Sequence, residues 1–326
     1  MSNHARFSSK SDAFVPIFLD VIFLGLMVSL CGLPLLSAQS AESNGVPVHM
    51  IVTVEPRKGS DVQTISRQDV LVSQNKQRDT VTEWAPAPAD GSGLEFFILL
   101  DDSSNMTLGS QLDDIRKFAD ELPAAAKVGI AYMQNGMAQI VQSLTTDHAQ
   151  AGKALRLPLG TPGGNGSPYF SLSDLVKRWP AGASRREVLM VSDGIDEYYG
   201  AGNWQDPYLD AAIEDAQRAG IIVSALYSPG AGHFGHSYYQ TYWGQLYMSK
   251  LADRTGGESY YIGMTGPPVA FAPYLDDARS RLTHQYFLTF LAKPPKKAGL
   301  EQVRITTEVP NVDLVAAGQV YVPAAK

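Results

Sequence analysis

Between Leu94 and Thr283 the sequence alternates short, continuously apolar runs with amphipathic segments. The runs have the length and composition of buried strands: LEFFILL (94–100), KVGIAYM (127–133), REVLMVSDG (186–194) and GIIVSALYSPG (220–230). Between them apolar side chains recur at helical spacing, as at Leu112, Ile115 and Phe118. This alternation predicts an α/β fold with a doubly wound, mostly parallel sheet and helices on both faces.

The segments on either side of this region have a β-rich pattern. Residues 46–84 and 285–322 contain alternating or β-branched runs, and the Pro/Gly/Ala-rich stretch APAPADGSG (85–93) separates the first of them from the α/β region. We therefore expect an N-terminal β segment and linker (41–90), an α/β domain (91–284) and a C-terminal β segment (285–326). Neither flank has enough strands for a core of its own, so we expect the two flanks to pair into one small β module.

The first 40 residues have the pattern of an export signal. Arg6 and Lys10 are followed by the apolar stretch 21–36, and Ala38-Gln39-Ser40 is a small-x-small cleavage site. The apolar stretch is short for a membrane span, which needs about 20 residues. We expect an exported protein (periplasmic, cell-surface or secreted) that is membrane-anchored only if this segment is uncleaved. Its single cysteine, Cys31, excludes an internal disulfide.

Charge restricts the class of partner. The net charge of the 326-residue chain is −7, and the sequence has no dense Lys/Arg block. Because phosphate binding needs clustered positive charge, nucleic acid is not expected as a partner.

Three predicted strands end on distinctive polar loops. The first runs into Asp101-Asp102-Ser103-Ser104-Asn105, the second into Asp193-Gly194, and the third into SPGAGHFGHSYY (228–239). Ligands of open α/β sheets bind outside the carboxyl ends of the strands, so we expect all three loops to open onto one face. A turn-forming acid and a tight glycine turn are the structural alternatives for Asp101 and for Asp193-Gly194.

These motifs, in this order, resemble those of von Willebrand factor type A domains. FILLDDSSNM resembles the Asp-x-Ser-x-Ser motif of the family, VLMVSDG its second acidic loop, and LADRTGGESYY its late helix–Thr-Gly-Gly–strand signature. The resemblance covers roughly residues 94–283, and the β flanks look like those of the bacterial von Willebrand factor A-related family. It implies a von Willebrand factor A, Rossmann-like fold for this region.

The same resemblance implies a metal-ion-dependent adhesion site that holds Mg²⁺ or a similar divalent cation. Carried over to this sequence, the metal ligands are Asp101, Ser103, Asn105 and Asp193. Asn105 stands where the family has a serine, and the glycine-rich loop GTPGGNGSPYF (160–170) has no threonine at the family's position. Ser167 is our first candidate to replace that threonine, and Thr161 is the second. Such an ion would capture an acidic side chain of a protein or peptide ligand.

Aromatic residues are concentrated in the loops predicted at the same face. We interpret them as a rim that grips a protein or peptide partner, because tyrosine and tryptophan are enriched at interfaces. The alternative is that half of them only pack the loops down. The predicted partner-binding residues are Tyr169, Tyr198, Tyr199, Trp204, Tyr238, Tyr239 and Trp243.

Catalysis is not expected. No GxSxG elbow, P-loop or GxGxxG follows a predicted strand, and no motif places a histidine beside Ser103 or Ser104 as a base. His233 and His236 are too few for a zinc site. The leading hypothesis is thus an exported, non-catalytic adhesion module; the alternatives are a metal-free interaction or scaffold protein and an exported hydrolase of unrecognised type.

Overall fold

Seven strands from the two flanks form one antiparallel sheet. They are β1 (Val46–Pro56), β2 (Val70–Gln74), β3 (Gln77–Pro86), β10 (Gln285–Ala292), β11 (Gly299–Thr307), β12 (Val312–Val315) and β13 (Gln319–Val322). Their order is β12-β1-β10-β3-β2-β11-β13. The register pairs Val46 with Ala292, so the start of the described chain lies beside its C-terminal part. The predicted pairing of the two flanks is confirmed.

The strands between the flanks form a second, six-stranded sheet. They are β4 (Leu94–Asp101), β5 (Lys127–Gln134), β6 (Met137–Thr145), β7 (Arg185–Ser192), β8 (Ile221–Tyr227) and β9 (Ser259–Tyr260). Their order is β6-β5-β4-β7-β8-β9, and only β6, at the edge, is antiparallel to its neighbour. The β5–β6 turn has Asn135 and Gly136 at φ 50° and 73°, as the sequence predicts for a tight hairpin.

Helices cover both faces of the second sheet. They are α1 (Leu112–Asp120), α2 (His148–Lys153), α3 (Pro168–Arg178), α4 (Pro207–Ala219), α5 (Tyr238–Thr255) and α6 (Ala272–Thr283). Successive side chains of β4 alternate between the faces: Ile98 lies in the core with α1 and α6, and Leu99 in the core with α3, α4 and α5. Both faces of the sheet are therefore buried, which explains why its strands are continuously apolar and confirms the predicted fold class.

Element boundaries differ from the predicted ones in a few places. Helix α5 begins at Tyr238 and not near residue 243, because the Ser237 hydroxyl accepts a hydrogen bond from the Gln240 amide at 3.1 Å and caps it. The run of aromatic residues there hides the helical period. The predicted segment 312–322 is two strands, β12 and β13, separated by residues 316–318.

The computed structural model describes residues 45–57, 64–160, 166–180, 182, 185–200, 202–203, 205–230, 237–261 and 270–324. The predicted signal segment, Thr161, Trp204 and the His233–His236 pair lie outside them. None of the described helices is long and apolar enough to span a membrane. The described residues belong to one compact unit, in which the two sheets contact each other.

A cavity of about 480 Å³ lies between the antiparallel sheet and the amino-terminal ends of β7 and β8. Apolar side chains such as Ile51 and Phe287 line it. At one side the Thr289 hydroxyl donates to Glu83 (2.8 Å) and contacts His49 Nδ1 (2.9 Å). The three polar loops lie at the opposite, carboxyl ends of the parallel strands, so this larger cavity is separate from the site that the motifs mark.

Candidate metal-ion site

The described parts of the three polar loops meet at the carboxyl edge of the second sheet, as predicted. Strand β7 lies between β4 and β8, with Leu100 paired with Val191 and Ser192 paired with Tyr227. Beyond the strand ends, the Asn105 amide donates to the Pro229 carbonyl at 2.8 Å. These backbone contacts hold the loop after β4 against the loops after β7 and β8.

Asp101 is the central acid of the site. Its side chain is buried, and Oδ1 accepts hydrogen bonds from the Ser103 amide (2.9 Å) and hydroxyl (2.6 Å). Oδ2 accepts one from the Ser192 hydroxyl (2.6 Å). Burial raises the pKa of Asp101, and the bonds from Ser103 and Ser192 oppose this only in part. The carboxylate is held in a fixed position in an environment that disfavours its charge.

Asp193 adds a second buried carboxylate. Its Oδ1 accepts a hydrogen bond from the Ile195 amide at 2.8 Å across a turn in which Gly194 has φ +71°. Burial, and then the nearby charge of Asp101, raises the pKa of Asp193 well above its ordinary value. The two acids therefore lie within electrostatic reach of each other, and a cation between them would stabilise both in their charged form.

Asp102, the neighbour of Asp101, has a different role. Burial alone would raise the pKa of Asp102, but hydrogen bonds from Arg156, Gln134 and the Leu159 amide outweigh it and lower that pKa. The Arg156 guanidinium binds both carboxylate oxygens, at 2.7 and 2.8 Å, and lies 3.9 Å above the Tyr132 ring. Asp102 is thus a structural acid that holds the segment after α2 against the sheet.

Two other predicted ligands are already engaged by the backbone. Ser167 is buried, and its hydroxyl accepts the Tyr169 amide at 3.2 Å as the N-cap of α3. The Asn105 side-chain oxygen accepts the Thr107 amide at 3.0 Å and caps a short 3-10 helix (Met106–Gln111). Ser167 still lines the cavity at the site, whereas Asn105 is not among its described lining residues. The structure thus gives Asn105 a capping role, and its role as a metal ligand stays a prediction.

A cavity of about 250 Å³ opens beside these groups, and its lining includes Asp101, Ser103 and Ser167. It adds two residues that the sequence analysis missed. The Ser171 hydroxyl is buried and has no hydrogen-bond partner in the described part of the chain. Burial, followed by the charges of Asp101 and Asp196, raises the pKa of Glu197. Glu197 lies four residues after Asp193, and Ser171 lies one helical turn after Ser167. These two spacings are the sequence signals by which the two residues could have been found.

Carboxylates alone do not complete a metal site here. In the described ranges, no three His, Cys, Asp or Glu side chains are grouped so that they could hold a metal ion. A coordination sphere at this edge would have to include hydroxyl oxygens and water, which suits Mg²⁺.

Strand order and motif placement agree with the family resemblance. Numbered from its own first strand, the second sheet has the order 3-2-1-4-5-6 with an antiparallel third strand. The loop with Asp101 follows the first strand and the loop with Asp193 follows the fourth. The Thr255-Gly256-Gly257 motif ends α5 before the sixth, with Gly256 at φ +82°. The fold is of the von Willebrand factor A type.

Comparisons with known proteins give similarities at low identity. No protein-family model matches the sequence, and no curated protein matches it. The chain is similar to the structure of an aerotolerance-related membrane protein from Bacteroides fragilis (15% identity over 58% of this chain and 98% of that one, TM-score 0.42). It is also similar to the ArnB paralog VWA2 from Sulfolobus acidocaldarius (10%, 85% and 76%, TM-score 0.40). A third match is the von Willebrand factor domain of the type V pili tip protein Mfa5 from Porphyromonas gingivalis (11%, 61% and 95%, TM-score 0.40).

The predicted aromatic rim of this von Willebrand factor A-type domain divides into two groups. Tyr198, Tyr199, Tyr238 and Tyr239 are exposed, as a contact surface requires. Tyr169 (0% exposed) and Trp243 (9% exposed) lie instead in the core under α3, α4 and α5, so the prediction of a partner-binding role for these two is corrected.

The two buried aromatic residues support the site from below. The Tyr169 hydroxyl donates to the Gly194 carbonyl at 2.6 Å and so anchors the turn that carries Asp193. The Trp243 ring packs against Tyr247 with ring centroids 5.6 Å apart. Large aromatic rings contribute to protein cores and to protein interfaces alike. The sequence pattern alone therefore could not separate contact residues from core residues.

Helix α5 approaches the Asp193 turn closely, and we expect Gly244→Ala to disturb that turn. An added Cβ at Gly244 would lie 1.9 Å from the Asp193 carbonyl oxygen. Since backbone must move to relieve such overlap, a loss of about 1–3 kcal/mol in the free energy of unfolding is expected by urea denaturation. Gly318→Ala is the matched control, because nothing lies within 4 Å of its added Cβ. Equal stability of the two variants would contradict the close approach.

Proposed function

We propose that this protein is an exported, non-catalytic binding module that captures an acidic group of a protein or peptide partner through a divalent cation. Asp101, Ser103 and Asp193 would hold the ion, with Ser167, Ser171 and Glu197 around it. The observation that carries the proposal is the pair of buried acids, Asp101 and Asp193. Asp101 lines a cavity together with serine residues, and its charge helps to raise the pKa of Asp193.

The residues present fit a small, hard cation. The donors are carboxylate and hydroxyl oxygens, which Mg²⁺ prefers. The unpartnered Ser171 hydroxyl in the cavity wall is a buried oxygen that gains a partner when a hydrated ion is present. When bound, the ion supplies a positive charge that attracts a partner's carboxylate. Asp101 orients the Ser103 hydroxyl, and Ser192 and the Tyr169–Gly194 bond hold Asp101 and the Asp193 turn in place.

Exposed side chains around the cavity favour a protein or peptide over a small ion as the captured group. Leu159 lines the cavity and is exposed, and Met106 and Leu157 are exposed nearby on the same side. Tyr198 is exposed on the other side, where its ring contacts Phe170 at 5.9 Å. Apolar and aromatic side chains on both sides of a charged centre match the composition of protein interfaces.

One observation favours a metal-free interaction protein as the second candidate. Both oxygens of Asp101 already accept hydrogen bonds within the chain, and the Ser167 hydroxyl caps α3. In this alternative the loops have the same geometry without an ion, and the exposed tyrosines alone form the contact surface.

Titration of Mg²⁺ into the purified protein, followed by thermal unfolding, distinguishes the two. We expect Mg²⁺ to raise the free energy of unfolding by about 2.7 kcal/mol at a concentration 100-fold above its Kd, because an ion that binds only the native state stabilises it. Asp101→Ala should abolish this effect. A wild-type Tm that does not change up to millimolar Mg²⁺ or Mn²⁺ would contradict the cation-dependent proposal and favour the metal-free interaction protein.

A further inference from the structure

The cavity of about 480 Å³ lies where the antiparallel sheet faces the amino-terminal ends of β7 and β8. Small-molecule sites have volumes of roughly 300–1,000 Å³ and often lie between packed structural layers. None of the candidate metal ligands lines this cavity. Its walls therefore form a possible binding site that is independent of the carboxyl edge of the second sheet.

The antiparallel sheet contributes one wall with an apolar and a polar row of side chains. The register pairs Ile51 with Phe287 in the first row, and both are half-buried. Two residues along each strand, on the same face, Thr289 lies between His49 and Glu83. The Thr289 hydroxyl donates to Glu83 and contacts His49, so the polar row is satisfied within the sheet. The apolar row is left to contact an apolar ligand.

The opposite wall contains a cation without a paired anion. Arg186 is half-buried there and donates to the Ala219 carbonyl. In the described part of the chain no carboxylate forms an ion pair with Arg186. Burial lowers the pKa of Arg186, and the charge of Glu95 opposes this. Glu95 itself is bound by Lys127 (3.2 Å) and by the Trp179 ring nitrogen (2.8 Å), so the guanidinium is free to pair with an anion in the cavity.

Gln217, near the end of α4, adds an unsatisfied hydrogen-bond acceptor to the same wall. Its side chain is 3% exposed, and Nε2 donates to the Arg254 carbonyl at 2.7 Å. Oε1 is buried and has no hydrogen-bond partner among the described residues. Such a group in a native structure requires an explanation. Gln217 lies two residues before Ala219, whose carbonyl binds Arg186, so the acceptor and the cation belong to one part of the wall.

We propose that this cavity binds an apolar small molecule of the N-acyl amino acid type, with a carboxylate and an amide N–H at its polar end. Arg186 pairs with the carboxylate, because a guanidinium binds this group through two parallel hydrogen bonds. Gln217 Oε1 accepts the amide N–H, and the acyl chain lies along Ile51 and Phe287. The negative charge of Glu83 on the sheet side favours this orientation over the reverse one. The proposal does not depend on the proposed function.

Calorimetric titration of N-decanoylglycine into the purified protein tests the proposal. EDTA is present, so that a divalent cation at the candidate metal-ion site cannot hold the carboxylate. We expect one molecule to bind per chain. The uncharged methyl ester should bind at least about tenfold more weakly, and N-decanoylsarcosine, in which a methyl group replaces the amide hydrogen, about threefold to tenfold more weakly. Absence of binding by N-decanoylglycine, or equal affinity for all three compounds, would overturn the proposal.

Two variants assign these preferences to residues. Arg186→Met should abolish the preference for the acid over its methyl ester, and Gln217→Leu should abolish the preference for the glycine compound over the sarcosine compound. Arg218→Met is the matched control and should bind like the wild type, because Arg218 is exposed on α4 and pairs with Glu214 at 3.7 Å. Thermal unfolding checks that each variant is folded. A folded Arg186→Met protein that still prefers the acid would refute the site.

Discussion

Arg185→Met is expected to destabilise the protein by about 3–5 kcal/mol, because it removes the stronger-acting of the two arginine charges that offset the burial of Glu187. Arg185 is 1% exposed at the start of β7, and its Nη1 donates to the Leu282 carbonyl (3.1 Å) and to Gln285 Oε1 (3.0 Å). Glu187, two residues along the strand, is also buried and hydrogen-bonds Gln285. Urea denaturation measures the loss.

The dependence of this loss on pH identifies its cause. Burial raises the pKa of Glu187, and Arg185 opposes that rise, so removal of Arg185 should raise the pKa further. A carboxyl whose folded pKa exceeds its unfolded value binds more protons in the folded state, so stability falls as pH rises above about 4.5. The defect of Arg185→Met should therefore be largest at neutral pH and shrink toward pH 4.5.

A double variant provides the control. Glu187→Gln removes the buried charge, so Arg185→Met/Glu187→Gln should recover part of the stability that Arg185→Met loses. A double variant less stable than Arg185→Met, or a loss that does not vary with pH, would show that Arg185 acts by packing alone. The network joins β7 to the first residue of β10, so its loss should also weaken the contact between the two sheets.

Local sequence pattern was sufficient to predict the α/β architecture. Continuous apolar runs indicate strands buried on both faces, and the Asn135-Gly136 pair indicates the antiparallel hairpin at the edge of the second sheet, since both residues adopt positive φ there. The carboxyl ends of parallel strands lie at one edge by geometry, so Asp101 and Asp193 could be placed together from sequence alone.

Long-range partners could not be predicted in the same way. Asp101 and Asp102 are identical in type, and the arginine that pairs with Asp102, Arg156, lies 54 residues later in the chain. The Gln285 that receives Arg185 lies 100 residues along the chain. Tyr169 is buried because α5 covers it, which its own loop-like neighbourhood does not indicate.

Asp193→Asn is expected to stabilise the metal-free protein while it abolishes the response to Mg²⁺. The change keeps the oxygen that accepts the Ile195 amide and removes a buried charge that faces Asp101. Since the folded pKa of Asp193 is raised, its ionisation opposes folding at neutral pH, and removal of the acid should raise the free energy of unfolding in EDTA by at least about 1 kcal/mol. Thermal unfolding with EDTA and with Mg²⁺ measures both effects.

Asp102→Asn is the matched control and should have the opposite sign. It weakens the paired bonds from Arg156 and so should destabilise the protein by about 1–3 kcal/mol with or without Mg²⁺, while the Mg²⁺-dependent gain persists. The same amide substitution at neighbouring strand ends thus separates the acid that is proposed to bind an ion from the acid that holds the fold. An Asp193→Asn protein that is less stable in EDTA than the wild type would show that its carboxylate is a structural acid like Asp102, because a charge that only repels its neighbour cannot stabilise the fold.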